Sequence, residues 1–305
     1  MNTIKNEIPS STGQTLRLVE WMPDNSKAIV QIIHGMAEHI DRYEDFAAFL
    51  TGHGYGVVGN NHAGHGETAS IKGYFAEKDG WKKVVEDIHQ VRLRLQKEYP
   101  DLPYFMFGHS MGSFLLRTYL QDHSDGLAGA IVCGTGQQPT AMLAIGSLIA
   151  GIQSLFGGAK KPCRLLNMIS SKQFAATVPE YKTTFDWLTR DEKIVQQYID
   201  DDYCGFPFTA SAYLDLFHGF RSIVDGSRYA HSNKELPLFL IAGQSDPVGE
   251  MGKMVIYVEE LLKNWGFQNV SRKFYPQARH ELTNELNRQE VYEDILEFLE
   301  RWIPC

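Results

Sequence analysis

The reading of this chain turns on Tyr104-Phe105-Met106-Phe107-Gly108-His109-Ser110-Met111-Gly112-Ser113-Phe114. A short apolar run with strand character meets Gly-x-Ser-x-Gly, and a helical pattern starts directly behind it. A strand that turns sharply into a helix forces the middle residue into a strained conformation. Gly108 and Gly112 leave room for that turn, where a Cβ would strike neighbouring backbone. Ser110 is therefore expected above a sheet, beside amide donors and the positive end of a helix. The motif alone is weak: with 27 Gly in 305 residues, chance supplies it in roughly one such chain in seven. Its setting between strand and helix separates a nucleophile elbow from an ordinary glycine-rich turn.

Working outward, strand and helix alternate. Residues 3–8 and 15–21 read as strands around Ser10-Ser11-Thr12-Gly13, and 28–33 and 55–58 as buried strands. A helix over Tyr43–Leu50 is stopped by Gly52 and Gly54. Trp81, Val84, Val85, Ile88, Val91 and Leu95 share one helical face. Strands follow at 103–107 and 127–133. After Gly136 only helical patterns appear. The alternation resumes with strand 236–241, helix 251–265, strand 270–275 and a last helix carrying Val291, Ile295, Phe298 and Trp302 on one side. This pattern predicts an α/β fold with a mostly parallel sheet covered on both faces. Residues 1–136 and 233–305 form its core. Residues 137–232 are a helical cap inserted over the strands' C-terminal edge, where ligands bind in open α/β sheets.

Composition narrows the function. A net charge of −8 excludes a nucleic-acid partner. An apolar fraction of 43% and a charged fraction of 22% suit a soluble enzyme. Cys133, Cys163, Cys204 and Cys305 are scattered, so neither a disulfide framework nor a zinc site is expected, and a cytoplasmic location fits. The stretch Met1–Glu7 has no apolar core of a secretory signal, and no run reaches 18 apolar residues, so no membrane span is expected.

A serine hydroxyl is a poor nucleophile until a base removes its proton, and the base needs an orienting acid. In this topology the partners follow in the order Ser, acid, His, each in a loop after a later strand. Strand 236–241 runs into Gly243-Gln244-Ser245-Asp246, and strand 270–275 runs into Pro276-Gln277-Ala278-Arg279-His280. Ser110, Asp246 and His280 are thus the candidate triad. Competitors are His109, pinned in the elbow, His218 and His231 in the insertion, and Asp186 and Asp215 as acids. An oxyanion hole needs two backbone donors. Met111 follows the nucleophile, and Met36 lies in His34-Gly35-Met36-Ala37-Glu38-His39 after strand 28–33, where Gly35 admits a close backbone approach.

Together with Arg42-Tyr43, Gly64-His65-Gly66, Ser245-Asp246-Pro247 and His280-Glu281, these motifs resemble the monoacylglycerol lipase and lysophospholipase (serine aminopeptidase-like) branch of the α/β-hydrolases. The resemblance covers the chain outside the cap. It implies an eight-stranded core, a helical cap, and hydrolysis of esters bearing an acyl chain, with no metal or cofactor. Asn61 stands where the family has Asp before its Gly-His-Gly, and Thr68 stands where Ser is usual. The same triad also serves small-ester carboxylesterases, thioesterases, acyltransferases and peptidases; a non-enzymatic ligand-binding module would not need a complete Ser, Asp and His.

The cap opens with residues 141–156, which carry no charge. Two readings stand: a lid helix lining an acyl channel and touching lipid surfaces, or a helix buried within the cap. On the first, Leu148 and Ile149 join Gly35 and His109 against the substrate. The later cap is rich in aromatics, among them Phe185, Trp187, Tyr198, Phe206 and Phe217, mostly expected as cap core. Asp200-Asp201-Asp202 reads as a solvated turn rather than a calcium site. Head group, chain length and oligomeric state are left open.

Overall fold

The computed structural model describes residues 2–303; Met1, Pro304 and Cys305 lie outside them. The strands are β1 (Asn2–Pro9), β2 (Thr15–Met22), β3 (Ala28–Ile33), β4 (Tyr55–Asn60), β5 (Tyr104–His109), β6 (Gly129–Cys133), β7 (Leu238–Gly243) and β8 (Val270–Tyr275). They form one eight-stranded sheet in the order β1-β2-β4-β3-β5-β6-β7-β8. β1 and β2 pair antiparallel, as do β2 and β4. From β4 onward every pairing is parallel. β3 to β7 are buried at every position because both faces of the sheet are covered there. β7 begins at Leu238 rather than 236, since Pro237 has no N–H for the ladder and offers only its carbonyl, to Ala130 (2.9 Å).

One face is packed by α2 (Gly80–Glu98), α3 (Met111–His123) and α8 (Lys253–Asn264), the other by α1 (Glu44–Gly52) and α9 (Arg288–Trp302). Between β6 and β7 the chain leaves the sheet for α4 (Thr140–Gln153), α5 (Arg164–Ala175), α6 (Glu192–Asp200) and α7 (Ala210–Ser222). Arg117 of α3 is fully buried, and its guanidinium donates to the Gly136 carbonyl (2.8 Å) at the exit of this excursion and to the Ile223 carbonyl (3.5 Å) at its return.

Segment Thr140–Gly158 corrects one expectation. By length and composition it is apolar enough to cross a membrane, with a mean hydropathy of 1.6. The α-helix proper has 14 residues, about 21 Å at 1.5 Å per residue, short of a bilayer core of about 30 Å. Helical geometry then fails at Phe156 and at Gly157, whose φ is 76°. Gly146 lies against the Phe217 ring of α7, and Arg221 of α7 donates to Leu143 O (3.0 Å) and Ser147 Oγ (2.8 Å). The helix is thereby tied into the cap.

Two glycines should behave oppositely on replacement by alanine. A Cβ at Gly112 would meet the carbonyls of Ile33 and His34, which are backbone and cannot yield. One at Gly151 meets nothing within 4 Å. Gly112→Ala should lower the melting temperature by many degrees. Gly151→Ala should leave it unchanged or raise stability by up to about 1 kcal/mol. Thermal melts of the two variants check this.

Candidate active site

Ser110 links β5 to α3 with φ 52° and ψ −121°, a conformation non-glycine residues hold only when their surroundings impose it. Its N–H donates to Cys133 O (2.9 Å), and its own carbonyl accepts from Ser113 N (2.8 Å). These bonds and the close packing of Gly108 on Gly112 fix the elbow.

The loops after β7 and β8 bring Asp246 and His280 together. His280 Nδ1 donates to Asp246 Oδ1 at 3.0 Å, and both side chains are buried. Val248 N–H (2.9 Å) holds the same carboxylate oxygen. His280 Nε2 is buried with no partner among the described residues. Burial opposes protonation of His280, but the Asp246 carboxylate outweighs it and raises the imidazole pKa. His109 packs against His280 (4.7 Å between ring centroids, planes tilted by 46°) and is held well below the usual histidine range, by burial first and then by His280. The pair can therefore accept a proton on Nε2 and keep the imidazolium oriented.

Met111 is the first residue of α3, so its N–H has no acceptor within the helix. The Met36 N–H donates to no acceptor among the described hydrogen bonds. The loop carrying Met36 is braced from every side. Gly35 N–H donates to Glu38 Oε1 (2.5 Å), which also accepts from Tyr43 (2.9 Å). Arg42 bridges Glu38 (2.7 Å) and, through two bonds of 2.7 Å, Glu281. Burial pushes Glu281 up, but Arg42 outweighs it and holds its pKa at about 2. His34 donates to Gly35 O (2.9 Å) and accepts from His62 N (3.0 Å), while His65 Nε2 accepts from Ala37 N (3.2 Å). Burial holds His62 at about 3 and His65 at about 4, so both stay neutral. Ala37 has φ 53°, and its carbonyl accepts from Tyr198 Oη (2.9 Å) and Gly205 N (3.0 Å) of the cap.

Above Ser110 opens a cavity of about 320 Å³. The core lines it with Gly35, Met36, His109, Ser110, Met111 and His280, and the cap with Leu143, Gly146, Ile149, Phe174, Trp187 and Phe217. Leu148 does not belong to it: the residue is 64% exposed on the outer face of α4, one helical step away from Ile149. His218 and His231 are exposed. Asp186 caps the amides of Lys182 and Thr183. Asp215 accepts from Gly80 N (3.1 Å), and burial raises its pKa to about 6. None of these four lines the cavity. Asp201 is not a solvated turn residue, because it pairs with His39 (2.8 Å).

The sequence reading places Trp187 and Tyr198 mostly in the cap core, with some aromatics allowed at an apolar pocket, and gives Arg42, Glu281 and the three clustered histidines no part beyond the motifs of the resemblance. Each acts through a residue far away in the chain; Trp187, for example, packs against His280 with ring centroids 5.0 Å apart. Asn61 explains its own departure from the resemblance. Its Oδ1 accepts from Ile40 N (2.8 Å) while its Nδ2 donates to Glu67 (3.2 Å), a donation that aspartate could not make.

The profile of the family described as serine aminopeptidase, S33, matches residues 24–287. The chain is 26% identical over 302 residues to the monoglyceride lipase of Mus musculus, covering 96% of this chain and 88% of that protein. Among solved structures it is similar to a thermostable carboxyl esterase from Bacillus coagulans in complex with glycerol (TM-score 0.92, 30% identity). It is also similar to a lipase in open form (TM-score 0.87, 26% identity); both likenesses cover 100% of each chain.

The geometry makes the reactivity of Ser110 depend on pH. His280 accepts a proton only when neutral, and its pKa is raised. Labelling of Ser110 by a fluorophosphonate should therefore fall as pH drops, with a midpoint above the unperturbed value of about 6.5. Asp246→Asn should slow labelling by roughly 10³–10⁴. A wild-type midpoint below 6, or a rate unchanged in Asp246→Asn, would contradict the arrangement.

Proposed function

This chain belongs to the serine aminopeptidase, S33, family of α/β-hydrolases, and we propose that it is a serine ester hydrolase acting on acyl-chain lipids of the monoacylglycerol or lysophospholipid type. The observation that carries this reading is the cavity itself: its cap wall is apolar, and its floor is Ser110 with the unpaired Nε2 of His280. An acyl chain fits such a wall, and an ester carbonyl would then lie at the floor. In the proposed mechanism His280 takes the proton from Ser110 as its Oγ attacks the carbonyl. The Met36 and Met111 amides stabilise the oxyanion, and Asp246 keeps Nδ1 protonated. His280 next gives its proton to the departing alcohol, and water repeats the sequence to release the acid. The printed names of the similar proteins, a monoglyceride lipase and a lipase, support this choice.

A second reading, a small-ester carboxylesterase, is favoured by the likeness to the Bacillus coagulans carboxyl esterase. Peptidase chemistry is less well supported, since Asp201, an acid that could hold a substrate amine, is engaged by His39. We further propose that the outer face of α4 and the turn after it meet a lipid surface. Leu148 stands there with Leu155 and Phe156, which are 85% and 87% exposed, a larger apolar display than a solvated cap needs. The buried, unpaired thiols of Cys133, Cys163 and Cys204 suit a cytoplasmic protein.

The two roles given to α4 separate experimentally. Each substrate methylene buried in the cavity should add about 0.8 kcal/mol to transition-state binding, so kcat/KM should climb with chain length until the cavity is full. Ile149→Glu, inside the cavity, should hurt long-chain soluble esters far more than acetate or butyrate esters. Leu148→Glu, outside it, should leave soluble esters nearly untouched and weaken binding to vesicles. Losses in Ile149→Glu that are equal across C2 to C16 would favour the small-ester reading. Ser110→Ala should abolish both ester turnover and fluorophosphonate labelling.

A further inference from the structure

We propose that the seam between the Met36 loop and the cap is a zinc site formed by His39, Asp201 and Cys204. One ligand atom from each lies within 4.8 Å of the other two. His39 Nε2 and Asp201 Oδ2 are already 2.8 Å apart. Zinc takes N, O and S ligands at about 2.0–2.3 Å in a tetrahedron. The sulfur must therefore draw in toward the His39–Asp201 pair on binding.

Several features of the surroundings suit a metal, against the Arg42 guanidinium nearby and the burial that pushes the Cys204 thiol up. Asp201 and Cys204 stand on one turn, closed by Cys204 N–H donating to Asp201 O (3.0 Å). Tyr203 N–H occupies Asp201 Oδ1 (2.8 Å) and leaves Oδ2 to face His39. Asp41 Oδ2 lies 3.7 Å from His39 Nδ1. That is too long for a hydrogen bond as it stands, but the carboxylate lies on the side where a metal-bound imidazole would donate its remaining N–H once the ring shifts toward it. Arg17 (2.6 Å) and Lys5 (3.2 Å) hold Asp41 in turn. The mixed nitrogen, oxygen and sulfur donor set selects zinc over calcium or magnesium, which take oxygen. Three protein ligands leave the fourth position to water. On binding, the Cys204 thiol releases its proton to solvent as the Zn–S bond forms, and the proton that His39 Nε2 donates to Asp201 leaves that nitrogen, to solvent from an imidazolium or to Nδ1 in the neutral ring, so that Nε2 is free to ligate.

The location gives the site a consequence. Ala37, two residues before His39, already receives Tyr198 and Gly205 of the cap on its carbonyl. Zinc would cross-link the same loop to the same cap segment, clamping the cap onto the loop that carries the Met36 amide. This inference stands on the side-chain cluster and is independent of the ester substrate proposed above.

Cobalt(II) as a probe for zinc tests it without an activity assay. Wild type should bind one cobalt with a sulfur-to-cobalt band in the near ultraviolet, and added zinc should remove the band. Cys204→Ser should abolish the band, together with the rise in melting temperature that zinc gives to wild type. Asp41→Asn should keep the band but weaken cobalt binding roughly 10- to 100-fold. His89 and His123, stacked 3.8 Å apart elsewhere, offer imidazole without a thiol, so His89→Gln should leave the band intact. No sulfur band in wild type would overturn the proposal. So would a zinc-induced stabilisation undiminished in Cys204→Ser, or a band lost in His89→Gln.

Discussion

A single buried guanidinium holds the working edge of this molecule in one frame. Arg42 sits between Glu38, which fixes the Gly35 amide, and Glu281, the residue after His280. The loop after β3 and the loop after β8 are thereby fastened to each other, with Ser110 between them. Two carboxylates and one guanidinium removed from water are costly to bury, and such a group does not add stability as a matter of course. What it supplies is position. Without Arg42 two buried carboxylates would face each other uncompensated, a loss of about 3–5 kcal/mol in comparable cases. The Tyr198 ring covers the guanidinium at 4.8 Å, so the cap closes the same cluster from above.

The neutral histidines serve the same end by different chemistry. His34, His62 and His65 lie in a region where burial keeps them uncharged, and each ring nitrogen that bonds to backbone fixes a tautomer. Their acceptor nitrogens satisfy the amides of His62 and Ala37. Without them those amides would be stranded in a tight loop. Ala37 can then hold its positive φ, and the Met36 amide keeps its direction. In the oxyanion role proposed for it, a preorganised donor of this kind is most effective where water is excluded, because no reorganisation is needed as charge develops.

The cap is bound to this frame at its inner side and left apolar at its outer side. α4 divides the two roles along its own circumference. Leu143, Gly146 and Ala150 are buried, while Leu148 one step further round is open to solvent. A helix with no charge along its length cannot reveal from composition which of its faces is covered, because both faces read as apolar.

Much was legible in the sequence. The alternation of strand and helix set the parallel sheet, since strands covered on both faces must be apolar throughout and their connections must be helical. Gly108 and Gly112 around Ser110 marked the elbow, because only glycine fits where backbone meets backbone. The order of Ser110, Asp246 and His280, each at a strand end, placed all three on one sheet edge. What only the tertiary structure decided are relations between residues distant in the chain. Arg42 meets Glu281, Tyr198 meets Ala37, Trp187 meets His280, and His39 meets Asp201 and Cys204. No local pattern encodes these pairs: Arg42 and Glu281 meet only when the loops after β3 and β8 come to one sheet edge, and the others form only when the cap folds back over the sheet. The same holds for the two sides of α4. Periodicity can show that residues share a helix, but which side faces the cavity depends on Phe217 packing against Gly146, a contact made between positions 71 apart in the chain.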